Sequence, residues 1–399
     1  MKQKLKSLLL TKLHGIDRQR YDIVDAIVTK GMNGYLEFNY DSFKSEIIEY
    51  ISQMNTSGYE YKYSASRDKP CLYASIYAVM TEGLLGVLQL RSHTDLNNWA
   101  EYLNGFQNPK DGLYYDPNLK CPAYEHIGCW NEGWGKHHLI SHLIIALARL
   151  GHLPKYPLTY LEKYYEPDYL INWMNGFDFS GNVWTSSNFF MNLYTVLEYV
   201  RDYMGESKAD NAIKVITEWL IKNQDPQSGM WHHRPFHQLN NQEKLNIIRS
   251  AYHFYPLFEY EGIPIPHCDK IIETILPLQN SWGGWTLEGC NSGACEDIDA
   301  VEPLIRCALQ SQVKDLRILE KIRRSLIWQF SSRNKDKGFS FYVRAQQNYG
   351  DHPLTTSIRD ESSMFATWFR TLCIAYEVKY LGIPNDFNIG RFPGYEISL

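Results

Sequence analysis

The stretch Gln279–Leu309, QNSWGGWTLEGCNSGACEDIDAVEPLIRCAL, brings Glu296, Asp297 and Asp299 together just ahead of an apolar run. Two physical readings compete. Acidic side chains are favoured in the first turn of a helix, where free N–H groups and the dipole stabilise negative charge. On that reading the three residues are a cap. Alternatively, carboxyls crowded together in a poorly solvated place raise one another's pKa until one keeps its proton at neutral pH and can act as an acid. Where the fold puts them decides the matter.

The rest of the chain narrows the chemistry. A net charge of −5 and no basic stripe argue against a nucleic-acid partner. The 29 Tyr and 11 Trp supply aromatic surface for a ligand or a core. The apolar run at Leu8–Leu10 is too short for a signal-peptide core, and no run has the length of a membrane span. The eight Cys are scattered and read as reduced thiols, so a cytoplasmic location is expected. Cys290 and Cys295 flank the acidic stretch without a CxxC pair or clustered His, so no metal site is expected there. His138 and His142, four apart, could share a helix face but lack an obvious third ligand.

The elements that would position the acids come from a repeat. Four segments share an amphipathic helix, a Gln and a Gly–aromatic turn: FQNPKDGLYYDP from Phe106, NQDPQSGMWHH from Asn223, LQNSWGGW from Leu278 and WQFSSRNKDKGFSFY from Trp328, with a weaker fifth, WMNGFDFSGNVW, from Trp173. A more apolar helix follows each. With one near the start, these are expected at Asp68–Leu90, Asn131–Leu150, Ser187–Met204, Gln242–Tyr260, Glu296–Gln310 and Glu361–Leu381, their starts separated by 63, 56, 55, 54 and 65 residues. Gly151, Gly205, Gly262 and Gly382 read as stops, with Pro264 and Pro384 soon after two of them.

Six helical hairpins of this period close economically as an all-α, single (α/α)6 toroid, apolar helices inside and amphipathic ones outside. One domain spanning 1–399 is expected. Its N-terminal helices (1–62, helical at Arg20–Lys30 and Tyr40–Met54) would pack on the barrel as the outer partner of the first inner helix. The 383–399 tail, with Phe387, Phe392, Pro393 and Tyr395, reads as a lid or plug.

In such a toroid the inner-helix N-termini converge on one mouth. They would bring Arg67, Asp68 and Lys69; Trp130, Glu132, Trp134, Lys136 and His137; Asn188 and Phe189; Glu243, Asn246 and Arg249; Glu296, Asp297 and Asp299; and Arg359, Asp360 and Glu361 to one place. The run His232–His237 follows a Gly–Trp turn and is expected there too.

The Gln…Gly-Trp turns with paired helices resemble the prenyltransferase/squalene-cyclase repeat superfamily. GGW, a short loop and D-I-D at a helix head resemble the D-x-D-D acid motif of class II terpene cyclases, which Asp297, Ile298 and Asp299 match in its first three positions. The resemblance implies Asp299 as proton donor and Asp297 as the residue that modulates it, with Glu296 beside them. The sequence departs from the motif at Ala300, where the fourth Asp would stand, and at Val301-Glu302, where Thr-Ala usually follows. Many class II cyclases also carry two α-barrel domains, and one is read here. The zinc-dependent protein prenyltransferase β subunits of the same superfamily use a late His, which the last inner helix, opening RDESSMFATWF, does not offer.

A class II cyclase protonates an alkene or epoxide and lets the polyene fold through cations, which need π faces and no nucleophilic water. Tyr73, Tyr77, Trp130, Trp134, Phe190, Tyr194, Tyr252, Trp285, Phe365 and Trp368 are the expected aromatic wall, with Glu132, His137, Arg249, Arg359, Asp360 and Glu361 as further substrate contacts. A diphosphate could be held by Lys69, Lys136, Arg249 or Arg359, and only then would magnesium be called for. A carbohydrate-active toroid is the main alternative. A glycosidase would oppose two carboxyls, Glu132 with Asp297 or Asp299, or Asp360 or Glu361 with Asp299, and a lyase would use His137, His138 or Tyr342 as base. The two differ in their cavities: deep and apolar with one acid, or open and polar with two. A non-catalytic toroid would pair its mouth charges and leave no cavity.

Overall fold

A computed structural model describes residues 15–119, 134–177, 179, 183–350 and 352–399. The chain is mostly helical, with three two-stranded antiparallel ribbons among the described residues. The helices are α1 Gly15–Ala26, α2 Met32–Leu36, α3 Tyr40–Met54, α4 Leu72–Leu84, α5 His93–Asn104, α6 Trp134–Leu150, α7 Pro167–Asn175, α8 Val183–Met204, α9 Lys208–Asn223, α10 Asn241–Tyr252, α11 Tyr255–Glu261, α12 Cys268–Ile275, α13 Ala294–Gln310, α14 Leu316–Ser331 and α15 Met364–Tyr380. No described helix is long and apolar enough to cross a membrane.

Two kinds of helix alternate, for a reason visible in their side chains. Every residue of α4 is buried, as is nearly all of α13 and α15. In α9, by contrast, only Ala209, Ala212, Ile213, Ile216, Thr217 and Leu220 are buried, a single stripe at helical spacing. The buried helices touch in a cyclic order: α4 on α6, α6 on α8, α8 on α10, α10 on α13, α13 on α15, and α15 back on α4. The striped helices lie against them, α5 on α6, α9 on α8, α12 on α13 and α14 on α15.

The Gln turns explain how neighbouring hairpins are fastened. Gln107 Nε2 donates to the carbonyls of Gly112 and Tyr156, both at 2.9 Å. Gln224 does the same to Gly229 and Pro266, and Gln279 to Gly283 and Lys321. Each amide closes its own turn and grips the next outer segment, satisfying carbonyls that burial would otherwise leave bare. In the fourth repeat the expected Gln329 points elsewhere and accepts from Arg370. Arg333 occupies the Gln position there and pairs with Glu46 of α3.

Element boundaries follow local chemistry. Asn39, Ser92 and Ser363 cap α3, α5 and α15, and Asn240 with Glu243 forms a capping box on α10. Gly151, Gly205, Gly262 and Gly382 stop their helices with φ of 76°, 74°, 67° and 67°. Two expectations need correction. The helix expected over Gln242–Tyr260 breaks at His253–Phe254, because Pro256 cannot donate within a continuous helix. The break frees the His253 carbonyl, which accepts from the Tyr194 hydroxyl. The N-terminal segment Ile27–Leu36 packs on α14 rather than on the first buried helix.

The tail is part of the core. Arg391–Phe392 pairs with Glu396–Ile397 in a hairpin. Asn388 N–H donates to Leu84 at the end of α4, and Glu396, wholly buried, pairs with Arg149 near the end of α6. Arg306 of α13 donates to Ser398 and Ile397, and Tyr376 of α15 to Ile397. The hairpin therefore ties together the helix ends opposite those that carry the acidic cluster.

Candidate active site

Asp297 and Asp299 sit two residues apart and have opposite surroundings. Asp297 is fully buried and surrounded by donors. Its Oδ1 accepts from Ser292 Oγ at 2.6 Å and from Trp285 N–H at 3.2 Å. Its Oδ2 accepts from Trp328 Nε1 at 2.8 Å and from Arg370 Nη1 at 3.1 Å. Burial, with the Glu296 charge, leaves this carboxyl above its ordinary value, although the Arg370 guanidinium, the Ser292 hydroxyl and the Trp285 amide pull it down. With these four donors around it, the ionised form is the one that fits. Asp297 thus pins the Trp turn, α14 and α15 together and does not line a cavity.

Asp299, one per cent exposed, has an Oδ2 with no hydrogen-bond partner among the described residues and faces a cavity of about 340 Å³. Burial holds its pKa well above the carboxylate range, reinforced by the charge of Glu296; Arg249 opposes this, and the Trp184 side chain lowers it by a hydrogen bond. These surroundings favour the protonated form of the group. Pro303, one turn later in α13, has no N–H to offer the Asp299 carbonyl, so this turn also lacks a backbone bond. Glu296 lies behind it, with its Oε1 3.4 Å from Tyr342 Oη and 3.9 Å from Arg249 Nη2. The Arg249 guanidinium rests on the Trp184 ring, 5.3 Å from its centroid.

The cavity wall is aromatic: Trp134, Trp184, Tyr252, Phe341, Tyr342, Tyr349, Phe365, Phe369 and Tyr395, joined by Cys295, Thr185, Asn188, three His and the loop Gln346–Gly350. Asp299 is the one carboxyl among the described lining residues. The three His are neutral. His138 lies between Tyr73 Oη on Nδ1, 2.8 Å, and Tyr349 Oη on Nε2, 2.9 Å, and burial holds its pKa well below the usual value. His253 contacts Ser187 Oγ through Nδ1 at 2.8 Å, and burial lowers it to about 3. His142 also falls to about 3 through burial. Its Nδ1 lies 2.8 Å from the His138 carbonyl, which can only accept, so Nδ1 carries the hydrogen. His142 Nε2 therefore presents a lone pair to which nothing among the described residues bonds.

Of the residues singled out in the sequence, Asp299, Trp134, Asn188, Tyr252, Cys295, Phe365 and Tyr395 line the cavity, as do His138, His142 and Tyr342, two of which (His138 and Tyr342) were candidate lyase bases. Tyr73 and Tyr77 stand one layer behind, Tyr73 on His138 and Tyr77 stacked on Trp368, 5.3 Å between centroids. Trp368 in turn meets His142 edge-on, and Arg249 borders Glu296. Several do not belong to the wall. Phe190 points outward into a cluster of Trp173, Phe177, Trp219 and Phe254, because its place on α8 faces the outer helices. Tyr194 is spent on the His253 carbonyl, and Trp285 is buried beneath the site, its amide on Asp297. His137 packs on Tyr160 and Lys136 over Tyr115. Lys69 is exposed, and Arg359 pairs with Asp22 and Asp360. Asp360 lines a separate groove of about 1070 Å³ against the N-terminal segment, which shares no residue with the cavity at Asp299. Glu361 caps a loop, accepting from Ser66 and Ile358. Trp130 and Glu132 lie outside the described residues. His232 binds Ser228 and Asp225 within its own turn.

Sequence reasoning missed Trp184, His253, Phe341, Tyr349 and the loop Gln346–Gly350 as wall residues. Only Trp184 had a signal, the Gly–aromatic turn in which it ends. Among the described residues no group of three or more His, Cys, Asp or Glu is placed to hold a metal ion. No protein-family model matches the chain, and no curated protein matches it.

Proposed function

We propose that this chain is a protonation-initiated, class II terpene-cyclase-like enzyme that acts on a polyprenyl substrate, on an (α/α)6 toroid whose inner ring is the cyclic series α4–α6–α8–α10–α13–α15. One observation carries the reading: Asp299, a carboxyl whose pKa burial raises and whose Oδ2 is unpartnered among the described residues, faces an aromatic cavity with no second carboxyl among its described lining residues. Glycoside hydrolysis needs an opposed carboxyl about 5–9.5 Å away; of the candidates, Asp360 and Glu361 are engaged elsewhere, and Glu132 lies outside the described residues. A non-catalytic toroid would have closed the cavity.

In this reading the Asp299 proton passes to an alkene carbon of the substrate, and the carboxylate left behind is stabilised by Arg249 and Trp184. The positive charge migrates along the folded polyene against the faces of Trp134, Tyr349 and Phe365. His142 Nε2, neutral and holding a free lone pair, accepts the proton lost when a carbon–carbon double bond re-forms. One proton enters and one leaves, so the net reaction is an isomerisation without a redox partner. Glu296 and Tyr342 stand behind Asp299, where its proton would be restored. Of the four cations considered for a diphosphate, Arg249 lies beside the acid.

The test is incubation with polyprenyl diphosphates and squalene-type polyenes, beside a panel of oligosaccharides, with products read by mass spectrometry. A cyclised isomer formed by the wild type and not by Asp299→Asn is expected. Turnover of sugars alone, or full activity in Asp299→Asn, overturns the proposal.

A further inference from the structure

The tip of the C-terminal hairpin is Pro393-Gly394-Tyr395, and Tyr395 lies on the cavity wall although it comes from the last few residues of the chain. The tip is built to reach inward. Gly394 has φ of +87°, and a Cβ there would meet Thr195 Oγ1 of α8 at 2.3 Å, so the backbone passes this close to α8 only without a side chain. Tyr395 is five per cent exposed, its ring 4.2 Å from that of His142 and 6.0 Å from that of Trp368. The hairpin enters from the helix ends that carry Leu84 and Arg149, opposite the α13 N-terminus that carries Asp299. Asp299 and Tyr395 thus reach the cavity from opposite helix ends.

We infer that Tyr395 is the floor of the cavity and sets the length of apolar chain that it accepts. The inference rests on the reading above, that the cavity takes a polyprenyl chain, and adds which residue limits it. A chain whose head meets Asp299 runs toward the hairpin and stops against the Tyr395 ring. At about 340 Å³ the cavity is at the small end of ligand pockets, so loss of one ring is a large change in depth.

The experiment measures binding of linear prenyl alcohols of ten, fifteen and twenty carbons by calorimetry to the full-length wild type, Tyr395→Ala and Tyr395→Trp, with folding checked by circular dichroism. Wild type is expected to show a length beyond which affinity stops rising. In Tyr395→Ala that limit moves up by one isoprene unit, the longest alcohol gaining about tenfold or more as its end is buried. In Tyr395→Trp, which adds bulk instead of removing it, the limit moves down. Should the alanine variant fail to fold, the tryptophan variant decides. An unchanged length preference in a folded variant overturns the floor assignment and leaves the cyclase reading standing. If no alcohol binds any of the proteins, the polyprenyl reading falls and takes the floor with it.

Discussion

Replacing each of the two aspartates by asparagine should give opposite results, although the two lie on one turn of α13. Asp299→Asn exchanges a neutral carboxylic acid for a neutral amide of the same shape. The Oδ2 it replaces has no partner, so no hydrogen bond is lost. Stability near neutral pH should stay within about 1 kcal/mol of wild type or rise, while turnover falls by about 10²–10⁴ with loss of the general acid. Asp297→Asn puts an N–H₂ group among four donors and leaves Arg370, fully buried, without its counter-charge. Breaking a buried pair in this way costs about 3–5 kcal/mol. Urea denaturation followed by tryptophan fluorescence measures both variants. The pH dependence adds a sign. Wild-type Asp299 has its pKa raised well above 3.8 in the fold, so between that value and the raised one the native state holds a proton that the unfolded chain has lost. Stability from this group is full below the lower value and falls by about 1.4 kcal/mol per pH unit as pH rises through the window. Asp299→Asn lacks that slope, so its stability relative to wild type should climb across the window. A strongly destabilised Asp299→Asn, or a wild-type-like Asp297→Asn, refutes the division of roles.

The histidines predict the acid limb. His142 and His253, held to about 3, and His138, held well below its ordinary value by burial, are neutral in the fold but would charge near 6.5 when unfolded. Their stabilisation is complete above 6.5 and is lost as pH falls toward 3, each adding about 1.4 kcal/mol per pH unit to the slope; His253→Gln should remove one proton from the uptake measured on unfolding by potentiometry. Gln279→Leu strips two carbonyls, Gly283 and Lys321, of their donor and should cost about 1–3 kcal/mol in chemical denaturation, with Gln107→Leu and Gln224→Leu similar. Gly394→Ala meets both the positive φ and Thr195, and a loss of about 1–3 kcal/mol is expected in the same assay.

The buried helices were legible in the sequence because their signals are local. An apolar run placed α6, α8, α13 and α15 within a few residues, and a left-handed Gly marked the ends of α6, α8 and α15. The Gln turns were legible for the same reason, and their bonding explains why Gln recurs: one amide serves a turn and the neighbouring segment at once. Where the fourth repeat substitutes Arg333, the partner changes to Glu46, and the pattern in the string no longer names the bond. The break at His253 was written in Pro256, but its use, a freed carbonyl for Tyr194, depends on α8 lying alongside.

The cavity wall was less legible, because on an all-buried helix every face is apolar and periodicity no longer says which face looks inward. Phe190 and Tyr252 are equally aromatic and equally buried, yet one fills the outer layer and the other the wall. The same holds for Asp297 and Asp299. Two residues apart on a helix is about 200° of rotation, so the side chains must face different neighbours, and the string D-I-D alone does not say which faces donors and which faces the hollow. Long-range partners decide it: Arg370, Trp328 and Ser292 claim Asp297, and none of these donors reaches Asp299. The carboxyl left over is the one able to keep a proton, so the acid is defined as much by the guanidinium that binds its neighbour as by its own position. The ion pair of Asp297 with Arg370 is in this sense a positioning device: it fixes the rotation of α13, and with it the face on which Asp299 meets the aromatic wall.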